Sequence, residues 1–308
     1  MSTIQRFRWS GLTSRPTLAA VLGAGCIAFS GILVRLADVS PDTAAVFRCL
    51  YALPLLGLIA WLERRRYGPT DSRDRRIAYL AGAFFALDLI FWHRSIIAVG
   101  AGLATVLGNL QVVMVGFVAW LILGERPSAR IFVAVPVVLI GIVLISGIVE
   151  EGAYGADPVL GTVYGILTAL AYTAFVLLLR RANRDTRRPA GPLFDATLTA
   201  TVLSAVGGLI LRDLEWPDAT AHGWLVALAL SSQVLGWLLI SVSLPRLPAA
   251  VTSVVIMLQP VGSVFLAMWL LDEAPTLLQL GGVALVLAGV VSVALTQRRP
   301  LPVPEPAG

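Results

Sequence analysis

Apolar residues run through this chain in long blocks rather than in amphipathic stripes. Each block approaches the roughly 20 residues that a helix needs to cross the hydrocarbon core of a bilayer. Short connections with turn signals, such as Ser40-Pro41 and Ala274-Pro275, separate the blocks. The pattern predicts an all-α polytopic membrane protein with ten transmembrane helices. The predicted spans are residues 17–36, 42–62, 77–97, 101–122, 129–148, 158–180, 193–211, 223–243, 249–271 and 276–296.

Composition supports a membrane protein. Of the 308 residues, 57% are hydrophobic and 13% are charged, whereas soluble domains carry about 25% charged residues. These values exclude a soluble enzyme, a disordered chain and a nucleic-acid-binding protein, although the net charge is +5. Cys26 and Cys49 both lie inside apolar blocks, which excludes a disulfide scaffold. All 23 basic residues are arginine, so lysine Schiff-base chemistry is excluded and no cofactor is predicted.

The arginines are distributed unevenly between the two sides of the predicted bundle. The N-terminus, the even-numbered connections and the C-terminal tail carry 19 of them, and the odd-numbered connections carry only Arg212. Arg35, Arg48 and Arg94 lie within spans or at their ends. Because cytoplasmic connections of membrane proteins are rich in Arg and Lys, we expect a multi-pass protein of the cytoplasmic membrane with both termini in the cytoplasm.

The two halves of the chain resemble each other. At an offset of 148, residues 104–145 align with residues 252–293 without a gap, and 14 of the 42 pairs are identical, among them Gln111/Gln259 and Glu125/Glu273. Each half holds five spans, an odd number, so the second half must enter the membrane from the opposite side. Such inverted repeats are typical of secondary transporters. The alternative is a non-transporting scaffold or sensor built by the same duplication.

This duplication divides the chain into four segments. They are a basic N-terminus (residues 1–16), a first repeat (17–148), a second repeat (158–296) and a disordered cytoplasmic tail (297–308).

These features resemble the EamA domain of the drug/metabolite transporter superfamily. The resemblance is carried by the ten spans, by the two L-x-E-x-P endings that start at Leu123 and Leu271, and by Phe47-Arg48 after Ser40-Pro41. Leu258-Gln259-Pro260-Val261 is similar to the proline segment of the family's ninth helix. Two positions depart from the pattern: Gln111 is followed by Val112 instead of proline, and Asp272 stands where the first half has Gly124. The resemblance implies ATP-independent export of small metabolites, amino acids or drugs.

Several spans carry polar residues near the middle of the bilayer, if depth is counted at 1.5 Å per residue. Polar groups at this depth are expensive and are functional hypotheses by default. An acidic group beside an aromatic ring would hold an ammonium or cationic ring, and amides would bind a neutral or zwitterionic solute. The alternatives are packing or lipid-interface roles for the aromatic residues and interhelical hydrogen bonds for the glutamines. The predicted substrate-binding residues are Asp88, Trp92, Asn109, Gln111, Tyr172, Gln233, Trp237 and Gln259.

Arg48, Asp88 and His93 are the predicted coupling or gating residues. Arg48 lies about 6 Å outward of the midplane, close enough in depth to form either a permanent ion pair with Asp88 or one that protons and substrate release. His93 lies about 9 Å outward and is either a proton relay or a buried core residue. Arg94 is expected to reach the headgroups, and Glu125 and Glu273 are expected to cap helix N-termini.

The sequence therefore predicts a secondary transporter that exports a small polar or amphipathic metabolite by alternating access, with protons as the proposed coupling ion. An intramembrane enzyme is disfavoured because only Asp88 lies deep and His93 is the only histidine inside a predicted span. No metal-ligand spacing occurs. The expected partners are a small-molecule substrate, protons and membrane lipid. Contact surfaces at Gly141, Gly281, Gly282 and Gly289 leave a homodimer open.

Overall fold

The computed structural model describes residues 15–114, 129–183, 185, 187–243, 247 and 249–294. Every regular element within these ranges is a helix. Six of the described helices are long and apolar enough to cross a membrane, and the other four contain shorter apolar stretches of 10–17 residues. This result confirms the predicted all-α polytopic class. The helices are α1 (Pro16–Ala37), α2 (Pro41–Tyr67), α3 (Ser72–Val99), α4 (Ala101–Met114), α5 (Ala129–Ile145), α6 (Pro158–Ala182), α7 (Ala190–Leu211), α8 (Ala219–Ser243), α9 (Ala249–Leu270) and α10 (Leu277–Ala294).

Several helices begin at a polar residue whose side chain accepts a hydrogen bond from the first turn. The Ser40 hydroxyl accepts from the Thr43 N–H at 3.2 Å at the start of α2. At the start of α6, the Asp157 carboxylate accepts from the Leu160 N–H at 2.9 Å. Asp218 caps α8. Asp71 caps α3 in the same way. The caps of α3 and α8 precede the apolar blocks, so both helices begin before the predicted spans.

Three helices are irregular within the bundle. α1 is interrupted at Phe29, and α4 is interrupted at Asn109 and Leu110, where the Leu110 N–H bonds to the carbonyl of Leu107 rather than to that of Val106. The middle of α8, Ala229–Gly236, is a π-helix. Discontinuous helices near the midplane are typical of secondary transporters, and π-helical turns frequently occur at functional sites.

Equivalent helices of the two halves pack against each other in antiparallel pairs, namely α2 with α7, α4 with α9 and α5 with α10. In the third pair, Gly141 contacts Val286 and Gly289 contacts Val138. The 148-residue offset relates Gly141 to Gly289 and Val138 to Val286, so the contact is reciprocal. A two-fold axis between the halves requires this reciprocity, and the antiparallel pairing is that of an inverted repeat.

The halves also interlock through their third helices. In the first half, α3 packs against α6 and α7, and in the second half α8 packs against α1 and α2. The connections that follow α1, α3, α5, α7 and α9 meet at one end of the bundle, called here the acidic end. There the Asp157 N–H donates to the Ala98 carbonyl at 3.0 Å. At the opposite, arginine-rich end, Arg188 donates to the carbonyl of Gly68 at 3.1 Å.

Parts of the predicted organisation lie outside the described residues. They are most of the basic N-terminal segment, the tail from residue 297 onward, and the first L-x-E-x-P ending with Glu125.

Candidate functional site

Arg48 of α2 is a cation buried inside the bundle, with 3% of its surface exposed. Its Nη2 donates to Oε1 of Gln233 on α8 at 3.3 Å. The guanidinium carbon lies 5.8 Å from the ring centroid of Trp92 on α3. Nε and Nη1 of Arg48 have no hydrogen-bond partner among the described residues. Since an unsatisfied buried donor is unfavourable, these two nitrogens are available to a solute or to water.

Asp88 lies on α3, one turn from Trp92, and is also buried. It forms no hydrogen bond or ion pair with any residue that the structure describes, although the charge of Arg48 acts on it electrostatically. The permanent ion pair between Asp88 and Arg48 that the sequence left open is therefore absent here. Gln233 takes the place of the carboxylate as the hydrogen-bond partner of Arg48.

Four aromatic side chains, called here the aromatic cluster, lie on the arginine-rich side of Asp88. Phe85 of α3 stacks on Phe175 of α6, with ring centroids 4.3 Å apart. The Trp237 ring of α8 meets Phe175 edge-on at 5.3 Å and Tyr172 at 6.0 Å. Because these rings come from α3, α6 and α8, the cluster joins the first half of the chain to the second.

Six of the predicted site residues thus meet in one region: Arg48, Asp88, Trp92, Tyr172, Gln233 and Trp237. Sequence reasoning missed Thr197 of α7, whose hydroxyl accepts a hydrogen bond from Nε2 of Gln233 at 3.2 Å. Nothing in the sequence indicates that Thr197 faces α8.

The other three predicted binding residues are not joined to this region by a hydrogen bond. Nδ2 of Asn109 donates to the Thr105 carbonyl of its own helix at 2.8 Å. Gln111 and Gln259 are half-buried and bond to no described residue. The glutamines therefore form no hydrogen bond between α4 and α9 among the described residues. Ser263 of α9 donates to the Thr105 hydroxyl of α4 instead, at 3.0 Å.

At the acidic end, Arg94 of α3 connects two carboxylates. Its Nη2 lies 2.9 Å from Asp42, at the start of α2, and 3.7 Å from Asp213, in the connection between α7 and α8. The prediction that Arg94 reaches the headgroups is therefore wrong, because Asp42 is fully buried and needs a cation. His93 is also fully buried, and its Nδ1 lies 3.0 Å from the Pro41 carbonyl.

A second histidine lies in a helix, one residue before the predicted eighth span. Because α8 begins at Ala219, His222 belongs to its first turn, where Nδ1 lies 2.6 Å from the Tyr51 hydroxyl. The rings of Phe47 and Trp216 surround it, with centroids at 5.3 and 5.4 Å. This group of rings joins α2 to the start of α8 at the acidic end.

Carboxylates also cap helices of the opposite half. Glu273 accepts hydrogen bonds from the N–H groups of Ala101 at 2.6 Å and Gly102 at 3.1 Å. It therefore caps α4 rather than α10, the helix that follows it. Burial raises the pKa of Glu273, and the two N–H donors act in the opposite direction. At the arginine-rich end, Glu63 of α2 caps α7 in the same manner.

The glycines considered for a homodimer are mostly used inside the chain. Gly141, Gly282 and Gly289 are buried between α5 and α10, whereas Gly281 faces open space. A homodimer stays a prediction, but these three glycines do not supply a free surface for it.

Comparison with known proteins gives a family and a fold. The EamA-like transporter family matches the chain twice, over residues 15–147 and 159–295. A solved structure titled "Crystal structure of protein" aligns with a TM-score of 0.61 and 17% sequence identity, covering 93% of this chain and 99% of its own. At that identity the likeness shows the fold alone. No curated protein matches the chain.

Proposed function

Because the chain belongs to the EamA-like transporter family, whose members are drug/metabolite-type transporters rather than enzymes, we propose that it exports a small polar or amphipathic metabolite. It does so as a secondary transporter, by alternating access, with the two halves rocking about the region around Arg48 and Asp88. Family membership supports transport itself. The solute, the direction and the mechanism are proposed from the site.

The observation that carries this proposal is the pair of unpartnered nitrogens on buried Arg48. A cation held at mid-bundle with Nε and Nη1 unsatisfied favours a solute that brings an acceptor, and a carboxylate forms the strongest such hydrogen bonds. Asp88, which also has no partner among the described residues, would bind an ammonium. The two charges together favour a zwitterion such as an amino acid, with Trp92 and Tyr172 against its apolar part.

Alternating access needs contacts that cross the halves and can open in turn. At the acidic end, Arg94 of the first half binds Asp213 of the second. On the other side of Asp88, Phe85 of the first half packs against Phe175 and Trp237 of the second. In the proposed cycle, a solute enters when the aromatic cluster separates and leaves when the Arg94 contact opens. Asn109, Gln111 and Gln259 would line the path.

Proton coupling is proposed at Asp88. A carboxylate without a fixed partner can exchange a proton for the ammonium group of a solute, so that the two compete for one site. His93, with its Nε2 unpartnered in the described part of the chain, is the proposed relay toward the acidic end. Collapsing the pH gradient would then stop uphill export.

We also propose the orientation of the bundle. The arginine-rich end, which holds Arg64, Arg75 and Arg188, would face the cytoplasm, as the positive-inside rule predicts. Both termini would then be cytoplasmic, and the membrane would be the cytoplasmic membrane. Substrate would enter from the arginine-rich end.

Export can be tested in proteoliposomes loaded with an equimolar mixture of the twenty common amino acids, with each amino acid quantified outside by mass spectrometry. We expect wild type to release at least one of them faster than empty vesicles do. Arg48→Gln and Asp88→Asn are expected to abolish that release while still inserting in the membrane, because each removes one charge of the site. Matched controls are Arg64→Gln and Asp272→Asn, both at exposed positions, which should keep the flux.

Two results would contradict the proposal. If wild type released none of the twenty, the zwitterionic substrate class would be wrong. If the same vesicles also failed to move every solute found by untargeted analysis of the medium of overexpressing cells, the non-transporting scaffold or sensor would be favoured. Equal flux from Asp88→Asn and Asp272→Asn would remove Asp88 from the mechanism.

A further inference from the structure

Gln233 lacks the unpartnered polar atoms that a solute-binding side chain would offer. Both ends of its amide already have a partner inside the protein: Oε1 accepts from Arg48 at 3.3 Å, and Nε2 donates to Thr197 at 3.2 Å. Gln233 and Thr197 are both fully buried. The three residues form one hydrogen-bonded chain that crosses from α2 through α8 to α7.

The π-helix in α8 places the Gln233 side chain between Arg48 and Thr197. Gln233 lies in the middle of Ala229–Gly236, where each turn holds more residues than in an α-helix. An α-helical period would place Gln233 and Trp237, which are four residues apart, on one face. In the structure Gln233 bonds to α2 and α7, whereas Trp237 packs in the aromatic cluster against α3 and α6.

We propose that Gln233 and Thr197 are positioning residues for Arg48 rather than binding residues for the solute. They hold the guanidinium through Nη2, so that Nε and Nη1 stay directed away from α8 and free for the acceptor group of the substrate. This inference rests on the proposed function, because it assigns Arg48 to substrate binding. It removes Gln233 from the residues that touch the solute and adds Thr197 to those that set its affinity.

Thr197→Val tests this role, because it keeps the shape of the side chain and removes the acceptor of Gln233. The amide then has a buried N–H without a partner and can turn, which frees Arg48. We expect KM for the exported amino acid to rise about 5- to 10-fold with kcat little changed, since ground-state and transition-state binding fall together. Thr197→Ser, which retains the hydroxyl, should restore the wild-type KM.

Thr201→Val is the matched control. Thr201 lies one turn further along α7, is also buried, and its hydroxyl bonds only to the Thr197 carbonyl of its own helix. Each of the two substitutions removes one threonine hydroxyl from α7. We expect Thr201→Val to keep the wild-type KM.

A second measurement does not depend on transport. Phenylglyoxal forms its adduct across both terminal nitrogens of a guanidinium, so the bond from Nη2 of Arg48 to Gln233 must break before the reagent reacts. The extent of adduct on the peptide that contains Arg48 can be followed by mass spectrometry in the purified full-length protein. We expect the rate at Arg48 to rise at least 3-fold in Thr197→Val, and to stay at the wild-type value in Thr201→Val and Thr197→Ser.

The proposal is overturned if Thr197→Val and Thr201→Val give the same adduct rate at Arg48, or the same KM. A lower kcat together with a lower thermal unfolding midpoint in Thr197→Val would indicate a structural role and would also overturn it. If wild type exports no amino acid, the proposed substrate class fails, while the adduct rates still decide whether Thr197 positions Arg48.

Discussion

Two arginines of the first half, the buried Arg48 and the half-buried Arg94, have different roles because their partners differ. Arg94 binds two carboxylates, Asp42 and Asp213, so its charge is balanced within the protein. Arg48 has one amide partner and two unpartnered nitrogens among the described residues. The number and charge of the partners therefore distinguish a contact that holds one end closed from a group that is available to a solute.

Replacing Arg94 with Gln should destabilise the protein, because it leaves the fully buried carboxylate of Asp42 beside Asp213 without a cation. Breaking a buried ion pair from one side typically costs about 3 kcal/mol or more. We expect a lower thermal unfolding midpoint in detergent, followed by tryptophan fluorescence. Adding Asp42→Asn should recover most of the loss, since the double variant removes both charges.

Arg212→Gln serves as the control for Arg94→Gln. Arg212 lies at the same end of the bundle but is exposed, so its loss should leave the midpoint unchanged. Equal midpoints for Arg94→Gln and Arg212→Gln would show that the ion pairs of Arg94 contribute nothing to stability.

Depth arithmetic on the sequence could predict which residues lie at the centre, but not which of them touch. Counting residues along the helices places Asp88 and Gln233 near the midplane. The contact between Arg48 and Gln233 joins positions 185 residues apart, and no periodicity of either helix reveals it. Arg94 was misassigned for the same reason, because its partner Asp213 belongs to a different half of the chain.

At the scale of helices, the sequence predicts where they begin better than what happens inside them. Caps such as Ser40 and Asp157 precede a proline, and both mark a helix start in the structure. The π-helix Ala229–Gly236 has no comparable signal, since it contains no proline and its only glycine is the last residue. In the structure this segment packs against α1 and α2, and that environment cannot be read from the local sequence.

Alanine substitutions at two glycines of the pair α5 and α10 are expected to change stability in different ways. A Cβ on Gly141 would lie 2.7 Å from the Gly282 carbonyl oxygen, whereas a Cβ on Gly281 would meet nothing within 4 Å. Gly141→Ala should therefore lower stability by roughly 1–3 kcal/mol through overpacking. Gly281→Ala should leave stability unchanged or raise it by up to ~1 kcal/mol, because alanine favours a helix.

The two alanine variants can be compared by their thermal unfolding midpoints under identical detergent conditions. The reciprocal contact between the halves is the reason for the difference, so the double variant Gly141→Ala/Gly289→Ala should be less stable than Gly141→Ala alone. A midpoint for Gly141→Ala at or above that of Gly281→Ala would contradict the close packing of α5 against α10.

At the scale of the whole molecule, a nearly symmetric scaffold holds an asymmetric site. Contacts that cross the halves occur at both ends, with Glu63 capping α7 at one end and Glu273 capping α4 at the other. The two ionisable residues at the centre, Arg48 and Asp88, both come from the first half, whereas Gln233 comes from the second. The repeat in the sequence could therefore predict the fold and the level of the site, but not the distribution of charge within it.

The inverted arrangement of the repeats predicts the sidedness of two equivalent connections. Positions 126 and 272 lie in the L-x-E-x-P endings of the first and second half, and an odd number of spans separates them. Single cysteines introduced as Arg126→Cys and Asp272→Cys, in a background of Cys26→Ala and Cys49→Ala, should be labelled from opposite sides. A membrane-impermeant maleimide added to intact cells should react with the cysteine at 272 and reach the one at 126 only after permeabilisation. Labelling of both from the same side would make the duplication parallel, and the alternating-access proposal would then lose the two-fold axis on which it depends.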